Sequence, residues 1–190
     1  MTKKVFIIHG WGGSPEEGWF PWLKKALEEK GFKVFVPTMP NPDEPKIETW
    51  VSFLSNLVGT PDLNTFFIGH SIGCQAIIRY LETLPEEVKI GGAVFVAGWY
   101  NLRNLETEEE KQIAGPWVNT PRNDKKIRKI MNKAVAIFSD NDPFVLPENQ
   151  KSWRDKTGAK IIVEHNKGHF SGSDGVTELP SALESILGMV

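Results

Sequence analysis

Six short apolar runs alternate with helical segments along the chain, and this alternation constrains the fold more than any other feature of the sequence. The runs that we predict to be strands are Lys4–Ile8, Lys33–Val36, Thr65–Ile68, Gly92–Val96, Ala134–Phe138 and Lys160–Glu164. They are nearly continuous in apolar residues, which is typical of a parallel sheet covered on both faces. The alternation therefore predicts an α/β doubly wound sheet with right-handed crossovers.

The segments between these runs have the length and composition of helices. They are predicted at Trp19–Lys30, Ile47–Val58, Ile72–Leu84, Asp124–Asn132, Pro147–Lys156 and Gly175–Leu187. A short helix is also expected at Glu106–Ala114, inside Gly98–Pro121, the longest excursion between two strands. No repeat, low-complexity tract or linker divides the chain, so residues 1–190 are predicted to form a single domain.

Charge and composition argue against several classes of partner. The chain of 190 residues has a formal net charge of −2, whereas nucleic-acid binding usually requires a basic face. No apolar run approaches the roughly 18–20 residues of a membrane-spanning helix, and the first apolar stretch is too short for a signal peptide. Cys74 is the single cysteine and cannot form an intrachain disulfide. We therefore expect a cytoplasmic protein that acts on a small molecule, with a monomer slightly favoured.

The pentapeptide Gly69–Gly73 reads G-x-S-x-G and lies where a predicted strand meets a predicted helix. This is the context of a nucleophile elbow, in which Ser71 occupies a strained turn and presents its hydroxyl. The flanking glycines avoid collisions across the turn, and the N-terminus of the helix favours developing negative charge. At ordinary residue frequencies the pattern occurs by chance in roughly one chain in fifteen, so it needs support from elsewhere.

A candidate acid and a candidate base follow Ser71 in the order that such an elbow requires. Asp140 and Asp142 follow the fifth predicted strand, and His169 follows the sixth. The carboxyl ends of parallel strands lie at one edge of the sheet, so these groups are expected near Ser71. We favour Asp142 as the orienting acid because it lies deeper in its loop, whereas Asp140 is suited to capping the turn. Asp140 stays open as the alternative.

The remaining histidines and the cysteine are given other roles. His165 lies at the end of the last strand and is expected to be structural. His70 lies inside the elbow, where it lines the pocket or packs beneath the turn but cannot face Ser71 as a base. Cys74 lies one turn into the following helix and is expected to be a buried packing residue.

A glycine-rich turn, His9–Gly13, follows the first strand. Such a turn lets backbone N–H groups face the elbow and complete an oxyanion hole. We expect the N–H groups of Trp11 and Ile72 to bind the oxyanion. Phosphate binding is the rival interpretation, but neither G-x-G-x-x-G nor G-x-x-x-x-G-K-[ST] follows this strand.

Two long stretches, Pro37–Pro45 and Gly98–Pro121, leave the carboxyl edge of the predicted sheet, where ligands bind in such folds. They are interpreted as pocket walls, with plain surface loops as the alternative. Substrate contacts are expected from Trp11, Pro40, His70, Trp99, Trp117, Phe144 and Phe170. For each aromatic residue, packing in the core or in a loop remains open. No cluster has the spacing of a zinc site, and we expect neither a metal nor an organic cofactor.

Several motifs together resemble those of a known family. They are the H-G-W-G-G turn, Phe20–Leu23, Met39–Pro42, Gly69–Cys74, Ser139–Pro143 and Gly168–Phe170. The chain resembles the α/β-hydrolase superfamily and, more narrowly, the small serine hydrolases of the YdeN and retinoblastoma-binding-protein-nine type. The resemblance implies a triad of Ser71, Asp142 and His169. It also implies a reduced three-layer fold with six parallel strands in order 2-1-3-4-5-6 and little or no lid.

Three functions are compatible with these residues. The first is a serine hydrolase that cleaves small carboxylic esters with a hydrophobic acyl part. The second uses the same chemistry on amides or small aminoacyl substrates. A third, of a different class, is an inactive hydrolase fold used as a binding module. It is disfavoured because such a protein has no reason to keep the triad together with the oxyanion glycines.

Overall fold

Six parallel strands form the central sheet in a computed structural model that describes residues 2–190. They are β1 (Lys4–Ile8), β2 (Lys33–Phe35), β3 (Thr65–His70), β4 (Gly92–Val96), β5 (Ala134–Ser139) and β6 (Lys160–Glu164). The order across the sheet is β2-β1-β3-β4-β5-β6, and every neighbouring pair is parallel. The predicted fold class and strand order are confirmed, with strand ends that differ by at most two residues.

Helices cover both faces of the sheet. They are α1 (Phe20–Glu29), α2 (Ile47–Val58), α3 (Ile72–Thr83), α4 (Glu108–Asn119), α5 (Asp124–Ile130), α6 (Glu148–Thr157) and α7 (Pro180–Leu187). The chain reverses direction across the sheet after β2, so right-handed crossovers place α1 on one face and the next helices on the other. The contacts agree with this, because α1 packs against α7 while α2, α3, α5 and α6 pack in a row. The result is the three-layer arrangement expected from the sequence.

The predicted bounds of the fourth helix, Glu106–Ala114, are wrong at both ends. The helix begins later because Thr107 caps it: the Thr107 hydroxyl accepts from the Glu110 N–H at 3.1 Å, and the Glu110 carboxylate accepts from the Thr107 N–H at 2.8 Å. It also continues through Pro116 to Asn119. At its C-terminal end, the buried guanidinium of Arg79 donates to the carbonyl groups of Trp117, Thr120 and Pro121. These long-range bonds satisfy carbonyls that a helix end leaves unpaired.

The predicted start of the last helix at Gly175 is also wrong, because the helix begins at Pro180. Gly175 has a φ of +76°, which is outside the helical region. Proline suits the first position of a helix because its φ is already helical and no N–H partner is lost. Residues 176–179 therefore form an irregular segment before α7.

The sheet and its covering helices enclose an aromatic core. Strands β3 and β4 are buried along their whole length, which explains why their sequences are nearly continuous in apolar residues. Trp19, Trp50 and Trp153 are completely or almost completely buried, and Trp22 is partly buried. None of the helices within residues 2–190 has the length and apolar character needed to cross a bilayer.

Candidate active site

A sharp corner between β3 and α3 carries Ser71. The backbone of Ser71 has φ 52° and ψ −119°, a conformation that non-glycine residues rarely adopt. The two glycines of the pentapeptide are required by close packing. A Cβ atom at Gly69 would lie 2.7 Å from the backbone nitrogen of Cys74, and one at Gly73 would overlap the carbonyl oxygen of Ile8. The corner is therefore closed against β1, and the Ser71 hydroxyl lies at the carboxyl edge of the sheet.

Three side chains from separate loops meet in one hydrogen-bonded series. His169 Nε2 lies 2.8 Å from Ser71 Oγ, and His169 Nδ1 lies 2.8 Å from Asp142 Oδ2. The Asp142 side chain is only 2% exposed, and its other oxygen accepts from the N–H groups of Phe144 and Val145 at 2.8 and 3.0 Å. Because an ionised carboxylate only accepts, Nδ1 carries the proton and Nε2 is free to accept from the serine hydroxyl.

Asp140, the alternative acid, is engaged elsewhere. Its Oδ2 lies 2.6 Å from His165 Nδ1, and its Oδ1 accepts from the Asn166 N–H at 2.9 Å. The pKa of Asp140 lies below its usual value. The largest cause is the hydrogen bond from the Asn166 N–H, and the next is the hydrogen bond with the His165 side chain. Of the two candidate acids, Asp142 is the one that the structure brings to His169.

His70 lies behind the base rather than opposite the serine. Its Nε2 lies 2.7 Å from the carbonyl oxygen of His169, so this nitrogen donates. Burial, and secondarily the proximity of His169, lower the pKa of His70 to about 3. The ring is therefore neutral near pH 7, with its proton on Nε2 and an accepting nitrogen at Nδ1.

His9 joins two loops at the same edge of the sheet. Its Nδ1 donates to the Gly10 carbonyl at 2.8 Å, and its Nε2 accepts from the Met39 N–H at 2.9 Å. Burial is the largest influence on this histidine and lowers its pKa. His9 is therefore a neutral structural residue that ties Pro37–Pro45 to the glycine-rich turn.

The glycine-rich turn lies directly against the elbow. A Cβ atom at Gly10 would lie 3.5 Å from the Cβ of Ser71. The Ile72 N–H is the first of α3 and has no acceptor in the preceding turn, as is usual at a helix start. Among residues 2–190, neither this N–H nor that of Trp11 has a backbone acceptor. The two N–H groups that we expect to bind the oxyanion are therefore not engaged by backbone carbonyls.

A pocket of about 370 Å³ opens over Ser71, within the size range of sites for small ligands. Of the expected substrate contacts, Trp11, His70, Trp99 and Phe144 line it. The Phe144 ring meets the His169 ring edge to face, with the ring centroids 5.2 Å apart. These aromatic walls surround the polar groups of the site.

Three expected substrate contacts, Pro40, Trp117 and Phe170, do not line this pocket. Trp117 is completely buried, and Phe170 is 1% exposed. The carbonyls of Pro40 and Phe170 accept hydrogen bonds from the indole N–H groups of Trp50 and Trp19, at 2.7 and 3.0 Å. Their loops do leave the expected edge of the sheet, but these residues support the core instead of facing the cavity.

Sequence reasoning missed several residues of the pocket. They are Glu17, Leu102, Leu105, Glu110 and Ser171, together with glycines of the first turn. Leu102 and Leu105 lie in the stretch that was expected to form a wall, so their apolar character was an available signal. Ser171 begins an S-x-x-D turn with Asp174, a pattern that organises loops through side-chain hydrogen bonds.

The wall formed by Gly98–Pro121 is fastened to the loop that carries Asp142. Leu102 forms an antiparallel bridge with Val145. The guanidinium of Arg103 donates to the Asp142 carbonyl at 2.9 Å. These contacts hold the wall and the acid loop together as one unit.

Comparison with known proteins identifies related sequences. A family model described as serine hydrolase matches residues 5–187. YdeN of Bacillus subtilis (strain 168), described as a hydrolase, is 34% identical over 180 residues, which cover 95% of this chain and 92% of YdeN. The serine hydrolase RBBP9 of Rattus norvegicus is 27% identical over 188 residues, which cover 98% of this chain and 96% of RBBP9.

Solved structures show the same architecture. The crystal structure of the ydeN gene product from B. subtilis matches with a TM-score of 0.90 at 31% identity, covering 99% of this chain and 98% of that one. Est1E from Butyrivibrio proteoclasticus matches with a TM-score of 0.74 at 16% identity, covering 99% of this chain and 88% of Est1E. The latter likeness concerns the fold alone.

The neutral, buried state of His70 predicts a loss of stability in acid. Its pKa is about 3 in the folded protein against 6.5 for a free histidine, so the unfolded chain binds more protons between these values. Stability from this group is present above pH 6.5 and falls as the pH drops towards 3, by up to about 1.4 kcal/mol per pH unit. In His70→Gln, the decline in unfolding free energy between about pH 6.5 and about pH 4.5 should be smaller by about 2–3 kcal/mol. Urea denaturation across this range measures the decline, and equal slopes in the two proteins would contradict the assignment.

Proposed function

This chain belongs to the serine hydrolase family, and on that premise we propose that it hydrolyses small carboxylic esters through an acyl-enzyme on Ser71. The observation that carries the proposal is the series from Ser71 through His169 to Asp142, with both links at 2.8 Å. In this series His169 can accept the proton of the Ser71 hydroxyl, and Asp142 can hold the imidazole in the orientation that this transfer needs.

In the first step, Ser71 Oγ attacks the carbonyl carbon of the ester while His169 Nε2 takes the hydroxyl proton. Asp142 holds the imidazole in the required tautomer and stabilises the imidazolium that forms. The N–H groups of Trp11 and Ile72 bind the oxyanion of the tetrahedral intermediate. His169 then gives its proton to the departing alcohol, which leaves the acyl group on Ser71.

In the second step, water replaces the alcohol. His169 takes a proton from the water as it attacks the acyl carbon, and the same two N–H groups bind the second oxyanion. Collapse of this intermediate releases the carboxylic acid and returns the proton to Ser71. His169 takes up and gives back the proton in each step.

The walls of the pocket support an apolar acyl group. Apart from the polar groups of the reaction, the lining is dominated by Trp11, Ile72, Trp99, Leu102, Leu105 and Phe144. Burying such a group removes apolar surface from water and orients the carbonyl towards Ser71. Small aminoacyl amides remain the alternative substrates, since they need the same nucleophile, base and oxyanion donors.

Charge in the pocket favours neutral acyl groups over anionic ones. Of the described residues that line the pocket, Glu17 and Glu110 carry carboxylates, and none is a lysine or arginine. The Glu110 carboxylate is already paired with backbone N–H groups at the start of α4. Glu17 lines the same cavity, so we expect a carboxylate on a substrate to be repelled.

Labelling with a fluorophosphonate probe tests the nucleophile. The probe should label the parent protein covalently and should fail to label Ser71→Ala, because the attacking oxygen is gone. Ser52→Ala, which changes an exposed serine on α2, is the matched control and should label like the parent. Equal labelling of the parent and Ser71→Ala, or no labelling of either, would overturn the proposal.

Turnover of p-nitrophenyl acetate tests the acid. Asp142→Asn should lower kcat on the order of 10⁴-fold, because the amide no longer holds the productive tautomer of His169. Asp140→Asn should stay within about twofold of the parent, since Asp140 bonds to His165 and Asn166 rather than to the base. A larger loss from the Asp140 change would show that the orienting acid is misassigned.

Paired substrates test the charge preference. The p-nitrophenyl monoester of adipic acid should react about tenfold more slowly than its terminal carboxamide, because its carboxylate meets Glu17. Glu17→Gln should reduce the difference in kcat/KM between the two esters. Glu16→Gln is the control, because Glu16 is exposed and does not line the pocket, and it should leave that difference unchanged. Equal rates for the two esters in the parent would remove the proposed charge selection and leave the ester chemistry intact.

A further inference from the structure

The backbone of His169 is held on both sides by side chains that take no part in the reaction series. Its N–H donates to Asp174 Oδ2 at 2.9 Å, and its carbonyl oxygen accepts from His70 Nε2 at 2.7 Å. Its ring is held separately by Asp142. His169 is thus restrained at the backbone nitrogen, the backbone oxygen and the imidazole.

His70 is well suited to hold one side because its ring is buried and packed between neighbouring groups. Its side chain is buried, and the rings of Trp19 and Phe20 approach it at centroid distances of 6.1 Å. On the other side, a Cβ atom at Gly10 would lie 3.0 Å from His70 Nδ1. The neutral ring has one N–H to donate, and that N–H is aimed at the His169 carbonyl.

Asp174 holds the other side through a compact turn. The same oxygen that accepts from His169 also accepts from the N–H and the hydroxyl of Ser171, at 3.0 and 2.6 Å. The carboxylate lies so close to Gly168 that a Cβ atom at this glycine would overlap it. One carboxylate therefore bonds to His169 and Ser171 and packs against Gly168.

The loop around His169 is not held by regular secondary structure. Asn166, Gly168 and Phe170 have φ values of 55°, 54° and 58°, three left-handed conformations within five residues. For a bulky residue such as Phe170 this conformation is strained, and it persists only where surrounding contacts enforce it. The position of the imidazole therefore depends on side-chain contacts rather than on regular secondary structure.

We propose that His70 and Asp174 form a backbone clamp that positions the imidazole of His169 between Ser71 and Asp142. The proposal rests on the proposed function, in which His169 transfers protons. His70 and Asp174 act on the reaction through His169, so they are positioning residues. A displacement of about 1 Å at a reacting group can lower a rate about 10²-fold, which makes such a clamp important for the rate.

Two pairs of variants test the clamp. His70→Met removes the donor at similar volume, whereas His70→Gln keeps an amide N–H near the position of Nε2. Asp174→Ala removes the acceptor, whereas Asp174→Asn keeps an oxygen. With p-nitrophenyl acetate, the Met and Ala variants should lower kcat about 10- to 100-fold. KM should stay within about twofold of the parent in Asp174→Ala, because Asp174 does not line the pocket. The Gln and Asn variants should recover most of the parent kcat.

Asp140→Ala is the matched control. Asp140 also accepts a backbone N–H from the loop of His169, at Asn166, but it does not contact His169. Its removal should leave kcat within about twofold of the parent. Thermal unfolding of each variant shows whether it is folded at the assay temperature, and if His70→Met does not fold, the Asp174 pair decides.

A spectroscopic readout separates the clamp from the proposed reaction. The proton between His169 Nδ1 and Asp142 should give a downfield NMR signal in the parent, and this signal should shift or broaden in His70→Met and Asp174→Ala but not in Asp140→Ala. Unchanged kcat and an unchanged signal in both removal variants would overturn the clamp. Equal losses in the removal and retention variants would also overturn it. A parent without esterase activity would contradict the proposed function, and the NMR signal would still decide the clamp.

Discussion

The left-handed turn at Ser71, closed against β1 with no room for a side chain at Gly69 or Gly73, is the constraint on which the rest of the site depends. It places the hydroxyl at the carboxyl edge of the sheet and starts α3 at the next residue. Because the sheet is parallel, the loops after β5 and β6 reach the same edge. Residues 98 positions apart in the chain, Ser71 and His169, therefore meet at 2.8 Å.

Burial divides the four histidines of the chain into different roles. His9 and His70 are buried, have lowered pKa values and hold loops in place through hydrogen bonds to backbone groups. His169 lies at the pocket, between a hydroxyl and a buried carboxylate. His165 lies on the surface with Asp140. The polar contacts that hold the site are thus mostly between side chains and backbone, which restrains loops that have no regular structure of their own.

The fold could be predicted from the sequence more completely than the details of the site. Apolar runs of strand length indicate that the strands of the sheet are buried. The resemblance of the motifs to a known family implied the strand order that the structure has. The chain order also indicated that Ser71, Asp142 and His169 lie at one edge. The direction of a loop side chain depends on distant partners, so Pro40 and Phe170 were expected in the pocket while Glu17 and Asp174 were missed. The length of α4 was unpredictable for the same reason, because Arg79 caps it from another helix.

The most direct test of acyl transfer at Ser71 is mass spectrometry of the protein quenched in acid during turnover of p-nitrophenyl acetate. We expect one acetyl group on the parent protein, located by peptide mapping on Ser71, and none on Ser71→Ala. Hydrolysis by a parent that carries no acetyl group at any time during turnover, or that carries it on another residue, would contradict the proposed mechanism.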